Sequence, residues 1–192
     1  METSSFGPSA LATPANAVTT CRLLFAPVLC LLILSTGPSY AVLVLWILLA
    51  STDGLDGWLA RRMGTTRSGA FLDPLADKAL VLGAMWAIVA YGGFWWLPVA
   101  LITVRELAIS AFRSYWGRQG LAVPARFWAK VKTVVQAVAV GMALAPPIAE
   151  HQAWLASTAL WLATGLTLVT GAQYLMEGSR ATATAGVRVE PS

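Results

Sequence analysis

Four aspartates, Asp53, Asp56, Asp73 and Asp77, fall within TDGLDGWLARRMGTTRSGAFLDPLADKAL, residues 52–80 of a 192-residue chain that has only nine acidic residues. On a helix, side chains three or four positions apart are neighbours. Asp53, Gly57 and Arg61 fall at i, i+4 and i+8, with Asp56 and Ala60 on the adjoining stripe. Gly69, Asp73 and Asp77 repeat the spacing further on. Carboxylates beside glycines form a notch rather than a packed seam. Four carboxylates at close quarters repel strongly in a low dielectric, so a divalent cation is the natural counter-charge. Oxygen-only ligation suits Mg²⁺ or Mn²⁺ rather than zinc.

Each feature also has a plainer reading. Asp73 precedes Pro74, which is how an N-cap followed by proline at the first helical position would look. Asp53 and Asp56 could be a solvated helix end, and small residues at helical spacing often serve only helix packing. All four aspartates being incidental is harder to sustain in a chain so poor in acids. Ionisable residues at membrane-spanning segments are functional by default.

The elements that must carry these residues are apolar. Hydrophobic residues make up 57% of the chain and charged ones 11%, against about 25% charged in soluble domains. The mean hydropathy is +0.68. Apolar blocks occupy roughly 22–36, 39–60, 70–91, 94–117, 127–147 and 152–175, most of them near the ~20 residues a helix needs to cross a bilayer. Continuous runs rather than alternating segments indicate helices. The expected fold is an all-α integral membrane bundle of six transmembrane helices, with residues 1–177 as one domain and 178–192 as a flexible tail. Ser39-Tyr40-Ala41 faintly resembles a cleavage site, but twenty-odd residues with one basic side chain precede the first apolar core, unlike a signal peptide. Cys21 and Cys30 lie nine residues apart, about half a turn out of phase on one helix, which excludes a disulfide between them there. They read as packing residues.

The basic residues set the topology. Arg22 precedes the first span; Arg61, Arg62, Arg67 and Lys78 flank the second connection; Arg113, Arg118, Arg126, Lys130 and Lys132 flank the fourth; Arg180 and Arg188 are in the tail. The connections near 36–40, 91–96 and 146–152 contain neither Lys nor Arg. Both termini and the basic connections are therefore expected in the cytoplasm. Asp53 comes thirteen residues after Tyr40, about 20 Å along the helix at 1.5 Å per residue. With the next span running the opposite way, the two aspartate pairs converge at the cytoplasmic end across a turn containing Gly64, Thr65 and Thr66.

Only Arg105 falls deep within a span, in VRELAISAFRSYW, with Arg113 nearer the cytoplasm. A buried guanidinium needs an anion or a carboxylate; Glu106 beside it could instead partner a neighbouring helix, which would make Arg105 purely structural. RFWAKVKTVVQ opens the fifth span with Lys130 and Lys132, which point in roughly opposite directions, so one of them faces the notch. Two arginines and a lysine beside a metal site suit an acceptor that itself carries a phosphate.

The order Asp-x2-Asp-Gly-x2-Ala-Arg, then Gly-x3-Asp-x3-Asp, resembles the signature of the CDP-alcohol phosphotransferases. It is met at Asp53, Asp56, Gly57, Ala60, Arg61, Gly69, Asp73 and Asp77. One departure is the gap from Arg62 to Ser68, seven residues where the family usually has eight. The resemblance implies two metal ions held by Asp53, Asp56, Asp73 and Asp77, with Asp77 also the base that takes the acceptor's hydroxyl proton. Gly57, Ala60, Arg61 and Gly69 would line the nucleotide end of the donor, and CMP would leave by direct displacement.

A narrower resemblance, to the bacterial phosphatidylglycerophosphate synthases, rests on VRE-x2-IS-x2-R in span four and on Lys130, Lys132, Thr133 and Gln136 in span five. It rests also on Asn16, Thr19 and Arg22 before the first span. That resemblance implies CDP-diacylglycerol as donor and glycerol 3-phosphate as acceptor. Arg105, Arg113, Lys130 and Lys132 would then bind the acceptor phosphate. It further implies a homodimer in the bacterial inner membrane, with its active site facing the cytoplasm. Sibling enzymes with inositol phosphate, serine or phosphatidylglycerol as acceptor share the chemistry. A divalent-cation transporter is the competing class, though transporters place their polar groups near the midplane and here they cluster at one end.

Overall fold

A computed structural model describes the backbone of residues 14–63, 69–118 and 127–186, and the side chains of residues 20–52, 78–112 and 131–173. Among these residues the secondary structure is helical throughout: α1 (Pro14–Thr36), α2 (Tyr40–Met63), α3 (Gly69–Tyr91), α4 (Trp96–Arg118), α5 (Phe127–Leu144), the single turn and a half of α6 (Pro146–His151), and α7 (Ala153–Gly186).

The helix ends follow from local chemistry. α1 stops where Gly37 takes φ +69°, a left-handed conformation that glycine adopts without a Cβ penalty. Ser39 then opens α2, its Oγ accepting from the Val42 amide at 3.4 Å in the manner of an N-cap. α3 ends in a Schellman motif: the Gly93 amide donates to the Ile88 carbonyl at 2.9 Å and the Gly92 amide to Val89 at 3.0 Å. α5 stops before Pro146 and Pro147, which have no N–H to continue it.

Three boundaries differ from those expected of the apolar blocks. α1 begins at Pro14 rather than near 22, because hydropathy registers residence in lipid and not helicity. The fifth block, 127–147, divides at the two prolines. α7 runs to Gly186, nine residues past residue 177, where a flexible tail was expected; residues 178–186 contain no proline to stop the helix. Residues 187–192 lie outside the described residues. Among the described residues one stretch, Ala153–Gln173, is long and apolar enough to cross a membrane by itself, while Thr20–Thr36, Tyr40–Thr52, Lys78–Tyr91 and Val131–Leu144 are shorter apolar helices.

The six long helices close a ring. α1 packs on α2 and α3, α3 on α4, α4 on α7, α7 on α5 and α5 on α2, with α3 also touching α5 across the middle. Leu29, Trp46, Met85, Ile102, Val140 and Leu160 are fully buried inside it. Cys30 fits the packing role: a Cβ placed on Gly83 of α3 would lie 3.2 Å from its Sγ, so the glycine lets α1 and α3 approach. Both cysteines are free thiols, and Cys21 is exposed on α1 rather than packed as expected. At one end of the ring the α1–α2 and α3–α4 turns meet, with Gly37 directly against Tyr91. The opposite end is therefore built from the start of α1, the end of α2, the starts of α3 and α5, and the ends of α4 and α7.

Candidate active site

That opposite end is where the sequence concentrates its carboxylates. Asp53, Asp56, Gly57, Ala60 and Arg61 lie on the last turns of α2, and Gly69, Asp73 and Asp77 on the first turns of α3. Their side chains, and the whole connection 64–68 with its shortened spacing, lie outside the described residues. The backbone nevertheless decides one alternative. α3 starts at Gly69, four residues ahead of Asp73, so Asp73 is inside the helix and not its N-cap. Pro74 follows it within the helix rather than at the first position.

Below this end the described side chains form a buried polar network on four helices. Arg105, tenth of the 23 residues of α4, donates from Nη1 to Glu106 Oε1 at 3.1 Å and from Nη2 to Thr170 Oγ1 of α7 at 3.0 Å. Lys132 of α5 forms an ion pair with the same Glu106 oxygen. Lys78 of α3 donates to the Glu106 main-chain carbonyl at 3.4 Å. Gln136, one turn beyond Lys132, donates to Thr167 Oγ1 of α7 at 3.0 Å. Arg105, Glu106, Lys132 and Gln136 are all buried. Buried charges persist only when paired and hydrogen-bonded, and Glu106 provides that pairing for two cations at once. Gly171 makes room for the guanidinium: a Cβ there would lie 3.1 Å from both Arg105 Cγ and Nε.

Of the four cations anticipated for an acceptor phosphate, Arg105 and Lys132 are thus brought together on one carboxylate. Of the lysine pair, Lys132 turns inward. The side chains of Arg113 and Lys130, on α4 and α5, lie outside the described residues. The sequence reading weighed Glu106 only as a possible partner and missed the α7 contribution. A signal for the latter existed: Thr164, Thr167 and Thr170 recur every three residues in an otherwise apolar helix, and all three are buried.

A second polar contact lies between α1 and α2. Arg22, 1% exposed, donates from Nε and Nη2 to Thr52 Oγ1 at 3.3 and 3.2 Å. The Thr52 hydroxyl donates in turn to the Leu49 carbonyl at 2.6 Å. An apolar groove of about 440 Å³ runs between α2 and α5, bounded by Leu43, Trp46, Ser51, Val134, Gly141 and Ile148. Its near end, at Ser51 and Val134, is two residues from Asp53 and from Lys132. Trp46 fixes the floor, with Nε1 donating to the Ala137 carbonyl at 3.2 Å.

The donor set on α2 and α3 fits a hard divalent cation, being carboxylate oxygen alone. Among the described residues, which do not include those aspartate side chains, no cluster of three or more His, Cys, Asp or Glu forms. The single histidine, His151, ends α6 beside Glu150, in the connection between α5 and α7.

The chain is similar to known proteins. A sequence model of the CDP-alcohol phosphatidyltransferase family matches residues 12–169. A probable phosphatidylglycerophosphate synthase of Mycobacterium tuberculosis is 38% identical over 184 residues, covering 91% of this chain and 85% of that protein. The CDP-diacylglycerol–glycerol-3-phosphate 3-phosphatidyltransferase of Pseudomonas fluorescens is 40% identical over 169 residues, covering 83% and 87%. The Escherichia coli K12 protein of the same name is 40% identical over 146 residues, covering 73% and 79%. With the family model covering most of its length, this chain belongs to the CDP-alcohol phosphatidyltransferase family.

Proposed function

We infer that the chain is a phosphatidyltransferase that moves the phosphatidyl group of CDP-diacylglycerol to glycerol 3-phosphate, giving phosphatidylglycerophosphate and CMP. What carries this reading is the pairing of two features in one half of the bundle. The family's eight-position signature lies on α2 and α3, and the Arg105–Glu106–Lys132 network lies beside it on α4 and α5. The relatives named for the same donor and acceptor support it further.

The six long helices are read as six transmembrane spans with both termini in the cytoplasm of a bacterium, residues 1–177 forming the membrane domain. Large apolar side chains face outward all round the ring, among them Leu31, Leu48, Val104, Leu107, Val134 and Leu162. Soluble monomers rarely expose apolar surface on that scale. The groove between α2 and α5 is apolar and suits one acyl chain of the donor. A homodimer is the assembly that the family resemblance implies.

Asp53, Asp56, Asp73 and Asp77 would hold two Mg²⁺ or Mn²⁺ ions, which when bound supply charge neutralisation at the donor's pyrophosphate. Gly57, Ala60, Arg61 and Gly69 form the notch for the cytidine end. Arg105 and Lys132, with Arg113 and Lys130 towards the cytoplasm, orient the acceptor through its phosphate. Asp77 accepts the proton of the acceptor's hydroxyl as that oxygen bonds to the phosphatidyl phosphorus. The bond from phosphorus to the CMP oxygen breaks, and CMP carries away the electron pair. No covalent enzyme intermediate is required.

Purified protein with CDP-diacylglycerol, Mg²⁺ or Mn²⁺ and a panel of acceptors tests the reading through CMP release. Release with glycerol 3-phosphate, and not with serine, inositol phosphate or phosphatidylglycerol, is the expected result. Release with inositol phosphate alone would replace the acceptor and keep the mechanism. No release with any acceptor under either metal would sink the enzyme.

A further inference from the structure

The Asn16–Thr19–Arg22 motif has no role in the reaction as derived above, yet Arg22 is among the most deeply buried side chains in the protein. Its partner is informative. Arg22 lies fifteen residues before Gly37 and Thr52 fifteen residues after it, which places them about 21 Å from the end of α1 and about 18 Å from the start of α2. The two helices are therefore a hairpin fixed at one end by a glycine turn and at the other by a guanidinium bonded twice to one hydroxyl. Thr52 is the residue immediately before Asp53.

α1 also packs along α3, the helix of Asp73 and Asp77. With α5, it is thus one of two helices in contact with both carboxylate-bearing helices. Any splaying of α2 from α1 at this end changes the distance between the Asp53/Asp56 pair and the Asp73/Asp77 pair. An ion bridging the two pairs tolerates little such change, since Mg²⁺ demands near-ideal octahedral geometry. Removing an acceptor from a buried cation is also costly, so the two bonds to Thr52 resist splaying of α2 from α1.

We propose that Arg22 and Thr52 are positioning residues for the metal site, a pin between α1 and α2 that sets the separation of the two aspartate pairs. The proposal rests on the metal assignment above. Its test is Mn²⁺ binding to the purified full-length protein in detergent, without substrates, for the unmodified chain, Thr52→Val and Thr52→Ser. Valine keeps the volume of threonine and removes the acceptor; serine keeps the acceptor. Thr52→Val is expected to weaken Mn²⁺ binding about tenfold and to shrink the rise in melting temperature that Mn²⁺ produces, while Thr52→Ser restores both. That outcome separates the pin from mere stability, which would lower the metal-free melting temperature and leave Mn²⁺ affinity of the folded protein unchanged. Mn²⁺ affinity within twofold of the unmodified chain in folded Thr52→Val would overturn the proposal. Should Thr52→Val fail to fold, Arg22→Lys, which keeps the charge and loses the second bond, replaces it under the same criterion. An unmodified chain that binds no Mn²⁺ at all would overturn the metal assignment first and the pin with it.

Discussion

The two ends of the helix ring are built by opposite rules. At the turn end the chain reverses through Gly37 and through Gly92–Gly93, and exposed Tyr40, Tyr91, Trp95, Trp96 and Trp154 surround it. Trp95 and Trp161 meet there with ring centroids 5.9 Å apart. Its connections hold no Lys or Arg. At the other end helices are joined across their neighbours by Arg22–Thr52, Lys78–Glu106, Lys132–Glu106 and Arg105–Thr170. One end settles the connectivity with backbone and aromatic surface. The other spends buried charge, which costs stability unless every group is matched, and a chain this apolar has no structural need of it. With the chemistry at the polar end, as proposed, substitutions there should change kinetic constants, and those at the turn end should change melting temperature alone.

The largest effect expected is from Asp77→Asn. A positioned general base contributes about 10²–10⁴-fold, so CMP release should fall at least a hundredfold while folded protein is still recovered. Turnover within a few-fold of the unmodified chain would remove Asp77 from the role of base.

Lys132→Met comes next, and it probes the network rather than the chemistry. The carboxylate of Glu106 keeps Arg105 as a partner, so the fold should survive. A lost charge-assisted bond is worth about 1.5–3 kcal/mol. The KM for glycerol 3-phosphate is therefore expected to rise at least tenfold, with the KM for CDP-diacylglycerol unchanged. Equal changes in both would show that Lys132 serves the bundle and not the acceptor.

How much of this was legible beforehand follows from what each signal measures. Helical spacing grouped the aspartates and set Lys130 and Lys132 on opposite sides of their helix, because phase depends only on sequence separation; that Lys132 is the one turned inward depends on how α5 packs. Hydropathy found the apolar blocks but not the start of α1 or the extent of α7, since it reports lipid residence. The Asp73-Pro74 pair looked like a helix start because that dipeptide is common there, yet α3 begins a turn earlier at Gly69. The partnership of Arg22 with Thr52 spans thirty residues, and no local pattern announces a contact that depends on how two helices lie side by side. Glu106 illustrates the same limit: its role as a hub for Arg105 and Lys132 needs α4 and α5 placed against each other.

The smallest effects come from making one substitution at each end. In Gly171→Ala the new Cβ would sit 3.1 Å from Arg105 Cγ and Nε, so the guanidinium must give by a few tenths of an ångström against Glu106 and Thr170. A rise of a few-fold in the glycerol 3-phosphate KM is expected, with little change in melting temperature. In Gly37→Ala the backbone holds φ at +69°, which costs a residue with a Cβ about 1–2 kcal/mol. The Cβ would also run into the Tyr91 phenol, but that ring is half-exposed and can swing aside. Melting should drop by about 2–8 °C, taking about 2–4 °C per kcal/mol for a chain of this size, and both KM values should stay as they were. Should Gly37→Ala raise the acceptor KM instead, the turn would be acting through α1 and α2 on the site about 20 Å away, and the two ends would have to be treated as one coupled device.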